Sequence, residues 1–372
     1  MKFVVAPDSF KGSISSAEAA DAIGRGIHRL LPNATVVCRS IADGGEGTLD
    51  ALIPVPEQIE CQVSGPRLAP VMAHYGYLKD GSAVIEMASA AGLTLLSPED
   101  RDGGETTTYG VGELIRTVLE SGCRSVMLTV GGSATNDGGC GMLAALGAVF
   151  YNGEGSPFLP TGNTLCQIRR IDLEGLHPAL SECRFEIATD VKNPLLGETG
   201  ATYVYAPQKG VSEDRLSHLE TGMAHYAALL REACGRDVAT VPGCGAGGGI
   251  SAPLLAFAKA QIRSGIETVL DVIGFDGDLA HADAVITGEG KIDSQSLYGK
   301  AISGVAGRAM ARNIPVYCLV GMIGDDPEKL AEMGIAGIFD IRSRASSTED
   351  AMENAAVYLE RMGEELAKTL SA

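Results

Sequence analysis

KFVVAPDSFKGS, residues 2 to 13, runs an apolar stretch directly into a loop carrying Asp8, Ser9 and Lys11, and its reading decides the fold class. Residues 3–6 are strand-length, and Pro7 and Asp8 end them. A helix is expected next: Ser15 and Glu18 have capping-box spacing, Ala20, Ile23, Ile27 and Leu30 form one apolar face, and Pro32 stops the run. A second strand is expected at 35–41. From residue 284 onward the rhythm returns, with strands at 284–287, 316–320 and 335–341 and helices at 295–312, 327–333 and 347–370. Alternating strand and helix predicts a parallel sheet covered on both faces.

The stretch between has a different texture. MAHYGYLKDGSAVIEMA reads as a hairpin turning at Lys79, Asp80 and Gly81, and a helix near 111–119 and a strand at 125–130 follow. The expectation is two α/β domains. A Rossmann-like parallel-sheet domain is built from both chain ends, residues 1–62 and 284–372, and an inserted α/β domain spans 63–283.

At 372 residues, 45% hydrophobic and 20% charged, the chain suits a globular protein with more than one core. No apolar run approaches the roughly 20 residues of a membrane helix. Met1 and Lys2 lead directly into strand, without the apolar region of a signal peptide, so a cytoplasmic location is expected. Nine cysteines without a CxxC pair argue against a disulfide framework or zinc site and read as mostly buried small hydrophobes. A formal charge of −18 repels nucleic acid and anionic lipid, so no nucleic-acid or membrane partner is expected. A phosphate-bearing ligand would need a few placed cations, backbone amides and a metal ion.

In a parallel α/β sheet, ligands lie outside the carboxyl ends of the strands. Three loops there set carboxylates or a lysine among glycines: APDSFKGS (6 to 13), ADGGEGT (42 to 48) and TGEGKIDSQS (287 to 296). The middle stretch adds VGGSATNDGG (130 to 139), Asp190 after FEIAT, YAPQKG (205 to 210) and PGCGAGGG (242 to 249). Gly243, Gly245 and Gly248 satisfy GxGxxG, with Glu267 near the distance of a ribose-binding acid, but no clean strand precedes them. The P-loop string is absent, and the histidines lie outside these loops; His218 and His225 read as an ordinary helix face.

Taken together, APDSFKGS, ADGGEGT, GGSATNDGG, Asp190 with NPL, PQKG, GAGGG and TGEGKID with its following GK resemble, in order and from end to end, the bacterial glycerate kinases of the two-domain, non-P-loop type. The resemblance implies transfer of the γ-phosphoryl of ATP to D-glycerate, usually on the 2-hydroxyl, with Mg²⁺, at an active site in the cleft between the domains. It implies Asp190 as the base and Lys11 as a catalytic cation, with Lys300 and Lys209 as second choices whose plainer reading is surface lysines. Asp8, Ser9, Lys11, Asp43, Glu46 and Lys300 are the expected substrate-binding set. Gly131, Gly132, Ser133, Thr135, Asn136, Gly245, Gly247, Gly248, Gly288 and Glu289 are expected to hold the nucleotide, their amides facing its phosphates. Asp43, Glu289 and Asp293 are the expected metal ligands.

The chain departs from the family's pattern at Gly103 and Gly104, Ile302 and Ser303, Met322, and Ser343 to Ser347. Those changes touch substrate preference. The rivals are glycerate 3-kinase regiochemistry, an NAD-dependent oxidoreductase resting on GCGAGGG, and a small-molecule sensor that kept the pocket and lost the chemistry. Oligomeric state is left open.

Overall fold

The computed structural model describes residues 1–292, 300–324 and 334–371. The chain opens with strand β1 (Lys2–Val5), the helix Ser16–Leu30 and strand β2 (Thr35–Cys38). It continues through β3 (Ile59–Ser64), β4 (Pro70–Tyr77), β5 (Ala83–Glu86) and β6 (Ser125–Thr129), then the short β7 (Val149–Tyr151), β8 (Pro157–Phe158) and β9 (Arg170–Asp172). Strands β10 (Arg184–Ala188) and β11 (Lys259–Arg263) follow. The last part adds β12 (Ala284–Thr287), β13 (Lys291–Ile292), β14 (Val316–Val320), β15 (Met322–Ile323) and β16 (Gly337–Asp340).

These elements form two compact units. The first comprises residues 1–43, 50–52 and 264–372, and its five strands lie in the order β16-β14-β12-β1-β2, all parallel. The second comprises 44–49 and 53–263 and holds a six-stranded sheet, β11-β10-β6-β5-β4-β3, with the β3–β4 and β4–β5 pairs antiparallel and the others parallel.

The expected capping box is present: the Ser15 hydroxyl accepts the Glu18 amide at 3.2 Å and the Glu18 carboxylate accepts the Ser15 amide at 2.9 Å. The helix it starts packs against the helix Ala355–Ser371 so closely that a Cβ on Gly26 would stand 2.0 Å from the Glu360 carbonyl oxygen. Ile23, Ile27, Leu359, Met362 and Leu366 share one core with Phe3, Val5 and Ile286.

Several boundaries differ from expectation. Residues 59–62 belong with the second unit, because β3 pairs with β4 along its whole length. Residues 264–283 belong with the first, because Ile266, Val269 and Leu270 enter a core with Val4, Val285 and Val305. Strand β2 ends at Cys38, not 41, and the closing helix is two, Thr348–Glu353 and Ala355–Ser371. The expected helix at 327–333 and the first residues of that at 295–312 lie outside the described residues; Ala301–Met310 is helical. The nine cysteines are all free, four buried and five half-buried, and among the described residues no helix is long and apolar enough to cross a membrane.

Leu359→Ala removes a wholly buried side chain from the core shared by the helices Ser16–Leu30 and Ala355–Ser371, so we expect a loss of about 2–5 kcal/mol. Equilibrium urea unfolding, read as a fall in the midpoint, measures it.

Candidate active site

Strand order in the first unit fixes where a ligand can sit. From β1 the chain moves to β2 on one side, whereas β12, β14 and β16 build outward on the other, so the order reverses between β1 and β12. Loops leaving a sheet at such a point diverge and open a crevice. Backbone hydrogen bonds continue the sheet into these loops: Asp8 amide to Gly288 carbonyl (2.8 Å), Gly321 amide to Glu289 carbonyl (3.0 Å), Arg342 amide to Gly321 carbonyl (2.9 Å). Gly288 has to be glycine, since a Cβ there would lie 1.8 Å from the Leu319 carbonyl oxygen.

Above this floor lies a cavity of about 430 Å³, lined by residues of the first unit alone. Asp8, Ser9, Phe10, Lys11 and Ser13 come from the loop after β1, and Asp43 from that after β2. Glu289, Gly290 and Lys291 follow β12, Gly321 and Met322 follow β14, and Arg342 follows β16. Lys300, the N-cap of the helix Ala301–Met310, joins them, as do Thr348, Ala351 and Met352. Of the expected substrate set, Asp8, Ser9, Lys11, Asp43 and Lys300 therefore converge, and so does Glu289. Asp293 lies outside the described residues.

The cavity concentrates charge. Lys11, Lys291, Lys300 and Arg342 face three acids, Asp8, Asp43 and Glu289, in a chain whose formal charge is −18. Asp8 is 6% exposed, and burial, with Asp43 and Glu289 nearby, raises its pKa from 3.8 to about 7; the Ser9 amide and Lys11 pull the other way. A carboxyl shifted by burial and by neighbouring charges in a crevice makes a candidate functional group.

Hard oxygen donors in mutual repulsion suit a divalent cation. Among the described residues no group of three or more His, Cys, Asp or Glu could hold a metal by protein ligands alone. Mg²⁺ bound through one or two carboxylates, waters and phosphate oxygens needs no such cage, so Asp43 and Glu289 fit it.

The second unit collects a different set at its own carboxyl edge. VGGSATNDGG follows β6, Asp190 stands half-buried two residues beyond β10, and Glu86 ends β5. Glu86, which the sequence does not single out, accepts the amides of Gly47 and Leu49, each at 3.2 Å, and so anchors the segment bearing the exposed Glu46.

Part of the expected nucleotide set is engaged within the protein. Thr135 and Asn136 are wholly buried, as is Asp137, and Asp137 is the anion the loop grips. Its carboxylate accepts the amides of Thr108 (2.8 Å), Gly139 (3.0 Å) and Gly141 (3.2 Å) and the Thr108 hydroxyl (2.9 Å). Burial pushes its pKa up and these bonds pull it down. Gly131, Asn136 and Gly138 donate their amides to Gly44, Gly103 and Gly248 carbonyls.

Gly245 and Gly248 permit close backbone approach: Cβ atoms there would lie 2.2 Å from the Pro194 oxygen and 1.9 Å from the Thr135 oxygen. Gly247 takes φ +62° beside Met87 and Val130, and Gly132 φ +70° beside Ala88. Ser133 is occupied by Lys209, whose ammonium donates to the Ser133 hydroxyl (2.8 Å) and the Thr135 carbonyl (2.7 Å). Lys209 is thus no surface lysine; burial lowers its pKa to about 7, with Asp137 opposing. The dinucleotide reading also fails: residues 235–242 ahead of the glycines hold no strand, and Glu267 pairs with Arg308 at 2.5 Å. His218 and His225 face the carbonyls of Asn163 and Ile168.

A parallel sheet whose switch point opens into a cavity of placed cations and hard acids defines an enzyme that handles small anions. Residues 3–371 match the model of the glycerate kinase family. The chain is 42% identical to the glycerate kinase of Bacillus subtilis (strain 168) and 41% identical to the glycerate 2-kinase of Escherichia coli (strain K12), covering 100% of this chain and 98% of each relative. A crystal structure from Salmonella typhimurium LT2, provisionally assigned as glycerate kinase 2, superposes with a TM-score of 0.86 at 40% identity, over 100% of this chain and 98% of that one. The chain belongs to the glycerate kinase family and is a phosphotransferase.

Asp8 supplies a pH test. Its raised pKa means the folded state holds the proton longer than the unfolded chain, so the stability this group contributes is full below pH 3.8 and lost as pH rises through about 7. Asp8→Asn should raise the melting temperature at pH 8, by at most on the order of 4 kcal/mol of stability, and leave it unchanged near pH 3.5.

Proposed function

We propose that this protein transfers the γ-phosphoryl group of ATP to the 2-hydroxyl of D-glycerate, giving 2-phosphoglycerate and ADP. The observation that carries this reading is the cation-rich cavity at the β1/β12 switch point, in a chain related over its full length to a protein named glycerate 2-kinase. Phosphoryl transfer asks the protein mainly to align donor and acceptor and to neutralise spreading negative charge.

In this reading the glycerate hydroxyl oxygen bonds to the γ-phosphorus, the bond from that phosphorus to the β-γ bridging oxygen breaks, and the hydroxyl proton passes to Asp190. Lys11, exposed at the cavity wall, and Lys300, at a helix N-terminus, supply positive charge for the oxygens that gain negative charge. Asp8 and Ser9 orient the acceptor. Mg²⁺, held by Asp43 and Glu289, would offset phosphate charge when bound. Nine free cysteines support a reducing, cytoplasmic setting.

Incubation with ATP, Mg²⁺ and D-glycerate, followed by phosphorus NMR, tests the reading: 2-phosphoglycerate is expected, and 3-phosphoglycerate would overturn the regiochemistry. Asp190→Asn should retain ADP binding and lose at least about 10²-fold in kcat. A variant turning over at the wild-type rate would remove Asp190 from the mechanism.

A further inference from the structure

The cavity is larger than its acceptor. At about 430 Å³ it lies in the range of pockets that enclose drug-sized ligands, whereas glycerate is a three-carbon acid. Sheet order shows how the excess is distributed. Asp43 follows β2 and Asp8 follows β1, Glu289 and Lys291 follow β12, Met322 follows β14, and Arg342 follows edge strand β16. Neighbouring strands are about 4.8 Å apart, so the outermost loops leave the sheet on the order of 19 Å from each other. A three-carbon acid is about one strand spacing long. Bound beside Asp8 and Lys11, it would leave the β14–β16 end to something else.

That end has its own chemistry. All three acids of the lining lie on the β12, β1 and β2 side. The β14 and β16 loops present Met322 and Arg342, and the helix Thr348–Glu353 adds Ala351 and Met352, the latter held to the β1 loop through the Ser13 hydroxyl; the two methionines are 41% and 42% exposed. Thioethers adapt to flat aromatic surfaces and make favourable sulfur–aromatic contacts, and a guanidinium stacks on such faces. The platform is built in place: Met322 donates its amide to the Gly290 carbonyl at 3.1 Å, Arg342 its amide to Gly321, and the Ser13 hydroxyl donates to the Met352 carbonyl. Lysines 291 and 300 complete the cavity's positive lining.

We propose that the cavity wall formed by Met322, Ala351, Met352 and Arg342 is the nucleoside subsite, where the purine base of the phosphoryl donor lies against the methionines and Ala351 with the Arg342 guanidinium stacked on it. The triphosphate then runs toward Lys300, Lys291 and Lys11. This rests on the nucleotide-donor reading above, and it moves the nucleotide away from the glycine strings, where the amides of Gly131, Asn136, Gly138 and Gly245 are engaged by backbone carbonyls and Asp137 is an internal anion.

Isothermal titration of the full chain with ADP and, separately, with inorganic tripolyphosphate tests the assignment, because the second ligand has phosphates and no base. Met352→Ser and Arg342→Lys should each weaken ADP about tenfold and leave tripolyphosphate unchanged. Lysine keeps the charge and loses the planar face, so Arg342→Lys reads stacking and not attraction. Both side chains are exposed, so neither change empties a core.

Equal weakening of both ligands would make Arg342 a phosphate contact and overturn the subsite. Unchanged ADP affinity with a raised KM for glycerate would make this the acceptor end and overturn it equally. Should wild type bind ADP yet form no phosphoglycerate, the glycerate reading fails while the comparison of the two ligands still decides the subsite.

Discussion

Three ladder positions, Phe3 with Ala284, Val4 with Val285 and Val5 with Ile286, join the start of this chain to a segment 281 residues later. The rest of the site depends on that pairing. It places the loop carrying Asp8 and Lys11 beside the loop carrying Glu289, and the Asp8 amide closes the register on Gly288. All three residue pairs are wholly or almost wholly buried, so the ladder is held by apolar burial on both faces of the sheet as well as by its hydrogen bonds. Phe3 and Val4 enter two cores on opposite faces of the sheet, and a slip of one residue would send each to the wrong one.

Electrostatics follows from this geometry. Burial, with Asp43 and Glu289 brought close by, hinders the ionisation of Asp8. Lysines and Arg342 around them make a locally cationic hollow in an acidic protein, which is how a chain that repels polyanions can still admit small ones.

The glycine strings of the second unit show a different use of the same residue. Glycine-rich loops attract attention as phosphate cradles, but here the glycines let backbones approach within distances no side chain tolerates, and the amides close on Asp137 and on neighbouring carbonyls. Lys209, Ser133 and Thr135 lock that loop from beneath. An internal carboxylate satisfied by four donors substitutes for the external anion that the pattern suggests.

By itself the sequence determined the alternation of strand and helix, the capping box at Ser15, the family, and the acid-, serine- and lysine-bearing loops after β1, β2 and β12, because each is a local pattern read over a few residues. Only the tertiary structure decided which of those loops meet. Sheet order, a matter of which strand pairs with which over hundreds of residues, brought Arg342 into the cavity with Lys291, although Arg342 sits in no telling motif. Burial likewise decided that Lys209 is held by Ser133 and Thr135 and that Thr135 and Asn136 are withdrawn from solvent, since whether a polar side chain faces solvent or a neighbour depends on what packs over it, and that is absent from local spacing.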